Sequence, residues 1–157
     1  MNNIVQLSDF APQANSKTVL VGGCFDMIHI GHVRFLEAAR QKGDELVVAL
    51  ESDEFIRHRK HREPFHTQSE RAEILGALES VDVVIMLPLL SSSKEYAQLV
   101  EKVKPSIIAI SENDPQEENK RKQAKEHGAT VEIVTPIIPQ KSSSAILDSN
   151  PHRSDIS

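Results

Sequence analysis

The sequence predicts an α/β fold built on a doubly wound, five-stranded parallel sheet. Three observations carry that reading. Strand-like apolar runs recur at Val19 to Gly23, Glu45 to Leu50, Val81 to Leu87, Ser106 to Ile110 and Thr130 to Val134. Helical patterns separate consecutive runs. Each run is almost continuously apolar rather than alternating, which marks strands buried on both faces and therefore a parallel sheet covered by helices. Right-handed crossovers wind such a sheet in both directions, and ligands bind beyond the carboxyl ends of its strands, at the switch point.

Each element has a local cause. Val33 to Arg40 reads as the first helix, with Gly43 as its C-terminal stop. Asp53 to Arg59 reads as a short helix leading into a polar loop. Thr67-Gln68-Ser69-Glu70 is a capping box that starts a helix running from Gln68 to about Glu79, with Ala72, Ile74, Leu75 and Leu78 on one face. Ser93 to Val103 is helical and stopped by Pro105. Gln116 to His127 is a charged helix ended by Gly128, and the serines from Ser142 to Ser144 open a short terminal helix. The expected organisation is one domain over residues 17–148. An N-terminal extension at 1–16 and a tail at 149–157 flank it, both expected to be mobile.

Composition narrows the function. The chain has 157 residues, 39% of them hydrophobic and 26% charged, the profile of a soluble globular domain. No apolar run is long enough to span a bilayer, and the polar N-terminus lacks the regions of a signal peptide, so a cytoplasmic protein without a membrane partner is expected. A net charge of −5 argues against a general nucleic-acid binder but permits a small anionic substrate where positive charge is gathered locally. The single cysteine, Cys24, cannot form an internal disulfide and reads as a small filler within a turn. No GxGxxG and no Walker A motif occurs, and His66, His127 and His152 lack zinc-site spacing, so no protein-held metal is expected.

The chemistry-bearing residues gather after strands. Gly22 and Gly23 close the first strand, where the absence of Cβ atoms lets backbone approach a ligand. His29 and His32 then fall where the first helix begins, on one side of its first turn and beside its free N–H groups. Bare backbone, imidazoles and a helix N-terminus together suit a phosphate chain. A basic run, Arg57-His58-Arg59-Lys60-His61-Arg62, follows Ser52-Asp53 on the same side of the sheet. Taken alone it reads as a solvated face. Ser69-Glu70-Arg71 taken alone is a surface cap, and a single serine would suffice to cap the helix that Ser142, Ser143 and Ser144 precede.

The string Gly23-x-Phe25-Asp26-x-x-His29-x-Gly31-His32 resembles the first motif of the cytidylyltransferase-like nucleotidylyltransferases. The resemblance runs from about Thr18 to Leu147 and implies a Rossmann-like sheet of the HUP type, acting as a homodimer. It implies transfer of a nucleoside monophosphate from ATP or CTP to a phosphorylated small molecule, with release of pyrophosphate and with magnesium on the triphosphate. By the same resemblance Gly22, Gly23, Cys24, Phe25, Asp26 and Gly31 form the nucleotide site, within which Asp26 is expected to hold the motif's turn or orient a nearby donor, and His29 and His32 contact the triphosphate. Lys60 closes over it, Arg71 contacts phosphate or nucleotide, and Ser142, Ser143 and Ser144 close on the outer phosphates. Asp53, Arg57 and Arg62 are candidates for the second substrate, and one of Arg57, Arg59 and Arg62 is expected to grip its phosphate in a fork geometry. Asp114 is the plausible counterpart of the family's acidic residue at the fourth strand end, although Ser111 to Pro115 lacks the usual lysine and glycines.

Heptose 1-phosphate adenylyltransferases and glycerol-3-phosphate cytidylyltransferases look similar, and archaeal-type FAD synthases share the frame. The missing arginine before the serine run tilts the nucleotide toward ATP, so a heptose 1-phosphate adenylyltransferase-like enzyme is expected. Two other classes remain: a nucleotide-binding module without activity, suggested by the altered Ser111 to Pro115 segment, and a fragment of an aminoacyl-tRNA synthetase. The short acidic chain disfavours the last.

Overall fold

The computed structural model describes residues 3–135. The strands are β1 (Ile4–Gln6), β2 (Thr18–Gly23), β3 (Glu45–Leu50), β4 (Val83–Met86), β5 (Ile107–Ser111) and β6 (Thr130–Thr135). The helices are α1 (Ile30–Arg40), α2 (Asp53–Lys60), α3 (Gln68–Gly76), α4 (Ser93–Val103) and α5 (Glu117–Glu126). All the strands pair in parallel, in the order β1-β4-β3-β2-β5-β6. The winding direction reverses between β2 and β5, so the crevice at their carboxyl ends is the switch point that the sequence predicts.

Strand alternation divides the core into two layers. Leu20, Val47, Ala49, Ile85, Ile108 and Ile110 face one side and are covered by Leu99, Val100 and Val103 of α4 and Ala124 of α5. Val19, Val21, Leu46, Val48, Leu50 and Val84 face the other and are covered by Leu36 and Ala39 of α1 and Ala72 and Leu75 of α3. With both faces dry, every position of β3 from Leu46 to Leu50 is apolar and buried.

Two expectations change. The N-terminal segment is not loose: Ile4–Gln6 adds a sixth strand beside β4, and Phe10 is buried in the α4 layer. Gly43 is not the C-cap of α1, which ends at Arg40 with Gln41 as cap. Gly43 packs so closely on the Lys17 carbonyl that any Cβ would collide with it, so its glycine serves the approach of the α1–β3 turn to β2.

The caps follow the sequence. Glu70 N donates to Thr67 Oγ1 at 3.2 Å and Thr67 N donates back to Glu70 Oε1 at 2.9 Å, closing the capping box of α3. Ser52 and Ser92 cap α2 and α4. The C-cap of α4 is less favourable. Lys104 is exposed and sits in the left-handed region at φ 52°. A Cβ there costs about 1–2 kcal/mol, partly offset by the stiffer unfolded chain that a non-glycine residue gives. Lys104→Gly is therefore expected to raise stability by about 0.5–1 kcal/mol. Urea unfolding checks it, through a higher midpoint at unchanged slope.

Candidate active site

The site is built where β2 ends. Gly22 is exposed, and a Cβ built on it would meet nothing closer than the Ala49 carbonyl at 3.8 Å. Among the described residues nothing requires glycine there, and the bare backbone lines the cleft. The chain then passes through two non-glycine residues at positive φ, Phe25 at 48° and Met27 at 58°. Such backbone costs of order 1–3 kcal/mol per residue and persists only where its surroundings fix it.

Asp26, between them, supplies that fixing. It is 3% exposed and accepts from Phe65 N at 2.8 Å, His66 N at 3.1 Å and Arg62 Nη1 at 2.9 Å. Burial opposes its ionisation, but these donors outweigh burial and hold its carboxyl below the usual carboxylate range. Asp26 thus ties the motif to the loop before α3 rather than facing a nucleotide. Phe25 is likewise buried, its ring edge-on to His32 at 5.5 Å, where it supports that imidazole.

The two histidines open α1. His29 is the N-cap: its Nδ1 accepts from Gly31 N at 3.1 Å, while His29 N donates to His32 Nδ1 at 3.2 Å. The Gly31 N–H is thereby spent on the cap and is not presented to a ligand. The rings stack at 3.9 Å with 24° between planes. Because both Nδ1 atoms accept, the neutral rings carry hydrogen on Nε2. Burial, then the fields of His29 and Lys60, lower the His32 pKa from 6.5 to about 4. His32 is therefore uncharged at neutral pH.

That depression has a stability consequence. The unfolded chain protonates His32 near pH 6.5, and the folded chain resists protonation down to about pH 4. Its contribution to stability is present above pH 6.5 and is lost as the pH falls toward 4. Urea midpoints across that window should decline with acid, and His32→Gln should decline less steeply; equal slopes would contradict the assignment.

Arg71 stands where its charge alone does not suggest. It is fully buried, and four N–H groups are spent inside the protein. Nη1 donates to the Cys24 carbonyl at 2.7 Å and the Glu51 carbonyl at 2.9 Å, Nε to the His66 carbonyl at 3.1 Å, and Nη2 to Asp53 Oδ1 at 2.7 Å. Arg71 and Asp53 therefore position the strand ends instead of touching phosphate or acceptor. Gln68, which the sequence reading missed, does the same between β3 and β4, donating to the Leu50 and Leu87 carbonyls at 3.0 and 2.9 Å.

A cleft of about 730 Å³ lies over the strand ends, bordered by Gly22, Gly23, Cys24, Lys60 and Asp114 among the expected residues. Arg57 and Arg62 do not line it. Arg57 pairs with Glu63, and Arg62 is taken by Asp26. Arg59 lines it instead, because it shares a helix face with Phe55, over whose ring its guanidinium sits at 5.7 Å. Asp114 is engaged by Lys120 Nζ at 2.7 Å and by Gln116 N at 2.7 Å. Burial raises the Cys24 thiol pKa, so it is no ready nucleophile. Ser142, Ser143 and Ser144 lie outside the described residues. Glu51, Tyr96, the serines Ser91 to Ser93 and Lys120 also line the cleft. Position immediately past an apolar strand could have flagged Glu51; the others carry no local signal. Among the described residues, no three His, Cys, Asp or Glu side chains stand together to hold a metal ion.

The model of the cytidylyltransferase-like family matches residues 20–157. The chain belongs to that family. It is accordingly an enzyme of the nucleotidyltransferase class. An FAD synthase of Thermococcus onnurineus is 41% identical over 118 residues, covering 74% of this chain and 76% of that protein. The bifunctional protein HldE of Geobacter metallireducens is 33% identical over 134 residues, 84% of this chain but 26% of that longer protein. A lipopolysaccharide core biosynthesis protein from Thermoplasma volcanium superimposes with a TM-score of 0.64 at 28% identity, over 82% of this chain and all of that one. No described helix of this cytidylyltransferase-like protein is long and apolar enough to cross a membrane.

Proposed function

We propose that the enzyme transfers the adenylyl group of ATP to the phosphate of a small-molecule acceptor, FMN first among the candidates, and releases pyrophosphate. One observation carries this reading. The bare glycine end of β2 lines the cleft with Lys60 and Arg59, and the chain leads from it to the α1 N-terminus, where the His29 and His32 imidazoles stack. An acceptor phosphate oxygen, already ionised, attacks the α-phosphorus; the bond to the β-phosphate bridge oxygen breaks and pyrophosphate leaves with its electron pair. No strong base is needed. The protein's task is to hold two anions together and to neutralise charge as it moves onto the leaving oxygen. His29 and His32 suit the triphosphate, and Lys60 and Arg59 the remaining charge. The site carboxylates Asp26, Asp53 and Asp114 are each committed to a cation of the chain, so magnesium fits as the companion of the triphosphate, held by phosphate oxygens and water.

FMN leads because FAD is its adenylylated form and FAD synthases match most of the folded chain. Heptose 1-phosphate is the second reading, favoured by the match to HldE across 84% of this chain. Pyrophosphate release with magnesium decides between them, with ATP and CTP crossed against FMN, heptose 1-phosphate and glycerol 3-phosphate. Release from ATP with FMN is expected. Release with the heptose alone would transfer the assignment to the second reading, and release from CTP alone would overturn adenylyl transfer.

A further inference from the structure

Glu51 is a buried carboxylate that the transfer chemistry does not use. It is the first residue past β3, 7% exposed, and borders the cleft. Its backbone is pinned on both sides: Glu51 N donates to the Gly23 carbonyl at 3.0 Å and its own carbonyl accepts from Arg71. Its Oε2 accepts from Tyr96 Oη at 2.6 Å, whereas its buried Oε1 has no hydrogen-bond partner among the described residues. Leaving a buried acceptor unsatisfied costs about 1–3 kcal/mol, more when it is charged. Burial pushes the Glu51 carboxyl upward, against the Tyr96 hydroxyl and the cations Lys120, Arg59 and Arg71. The same contact, with burial, raises the Tyr96 pKa, so its hydroxyl keeps its hydrogen.

A carboxylate cannot border a phosphate without repulsion. Glu51 therefore suits the uncharged part of a ligand whose phosphates lie toward Lys60 and the α1 N-terminus. The wall beside it carries hydroxyls and an amide, from Ser91, Ser92, Tyr96 and Gln123. Such a lining complements a chain of hydroxyl groups, which both donate and accept.

We propose that Glu51 and Tyr96 form the subsite for the hydroxylated carbon chain of the acceptor, Glu51 Oε1 taking a hydrogen from one hydroxyl and Tyr96 Oη accepting from another. The inference rests on the transfer reaction proposed above and names the acceptor class: a phosphate ester of a polyhydroxylated chain. It makes Glu51 a specificity residue for the acceptor and leaves the nucleotide to other groups.

Calorimetric binding to the full chain, with transfer blocked by saturating α,β-methylene-ATP and magnesium, tests it. The probes are FMN and an FMN analogue whose ribityl hydroxyls are replaced by hydrogen. Glu51→Ala should weaken FMN at least tenfold while α,β-methylene-ATP affinity stays within twofold. Deleting the hydroxyls should cost the wild type at least tenfold and Glu51→Ala less than threefold, the collapse that marks a direct interaction. Glu51→Gln, nearly isosteric, guards against misfolding and should fall between. An FMN affinity within twofold of wild type in both variants, a loss of nucleotide affinity instead, or no FMN binding by the wild type would overturn the subsite. Pyrophosphate release is read separately: FMN bound in this pattern without release would refute transfer to FMN and leave the subsite standing.

Discussion

Arg71→Ala should lower the unfolding free energy by about 3–5 kcal/mol, the largest stability loss expected of any single polar substitution near the site. The side chain is wholly buried and its guanidinium joins four separate segments: the β2 end through Cys24, the β3 end through Glu51, the α2 start through Asp53 and the α3 approach through His66. Truncation strands three carbonyls at about 1–3 kcal/mol each where water cannot replace the donor. Asp53 is 28% exposed and can be rehydrated, so its share is smaller. Arg71→Lys keeps the charge but offers a single donor centre in place of a planar fork, and should recover less than half of the loss. Asp53→Asn should cost about 1 kcal/mol or less. Urea unfolding of the three variants checks the order. A loss below about 1 kcal/mol for Arg71→Ala would show that the four segments hold without it. Turnover should fall as well, because the segments that Arg71 joins carry Cys24, Glu51 and Lys60 to the cleft.

What the sequence reveals and conceals follows from range. Continuous apolar runs such as Leu46 to Leu50 report burial on both faces, so the doubly wound parallel sheet is legible, as is the capping box at Thr67 and Glu70. Ile4–Gln6 escapes because three residues at a sheet edge are too short for a period, and only pairing with β4 distinguishes them from a loop. Side-chain roles at the site are less legible than residue types. Arg71 carries the same charge whether it grips a phosphate or four protein acceptors, and burial decides. In α2 the phase of the helix, rather than charge, places Arg59 on the cleft and turns Arg57 to Glu63. The motif's Asp26 is informative as a motif residue, yet its chemistry is spent on Phe65, His66 and Arg62, partners 36 to 40 positions away. Local patterns thus predict where the site is; long-range contacts decide which of its residues face the ligand.

His32→Ala should reduce nucleotidylyl transfer by about 10²–10³ in kcat, the scale set by removing one preorganised donor from a site of developing negative charge. The loss should appear mainly in kcat, because the donor strengthens as charge collects on the leaving oxygen. Folding survives, with about 1 kcal/mol lost as the His29 N–H loses its Nδ1 partner and the Phe25 ring its neighbour. His32→Asn separates these effects, since its side-chain oxygen can take the capping hydrogen without an imidazole donor at the Nε2 position. It should regain most of the stability and little of the rate. The pH profile adds a check that a merely structural histidine would not supply. With its pKa near 4 in the free enzyme, His32 is already neutral across the ordinary range. The kcat/KM profile should therefore show no limb near pH 6.5 that disappears in the variant. Such a limb would mean that the imidazolium, rather than the neutral ring, is the working form; unchanged turnover in a folded His32→Ala protein would remove His32 from the mechanism.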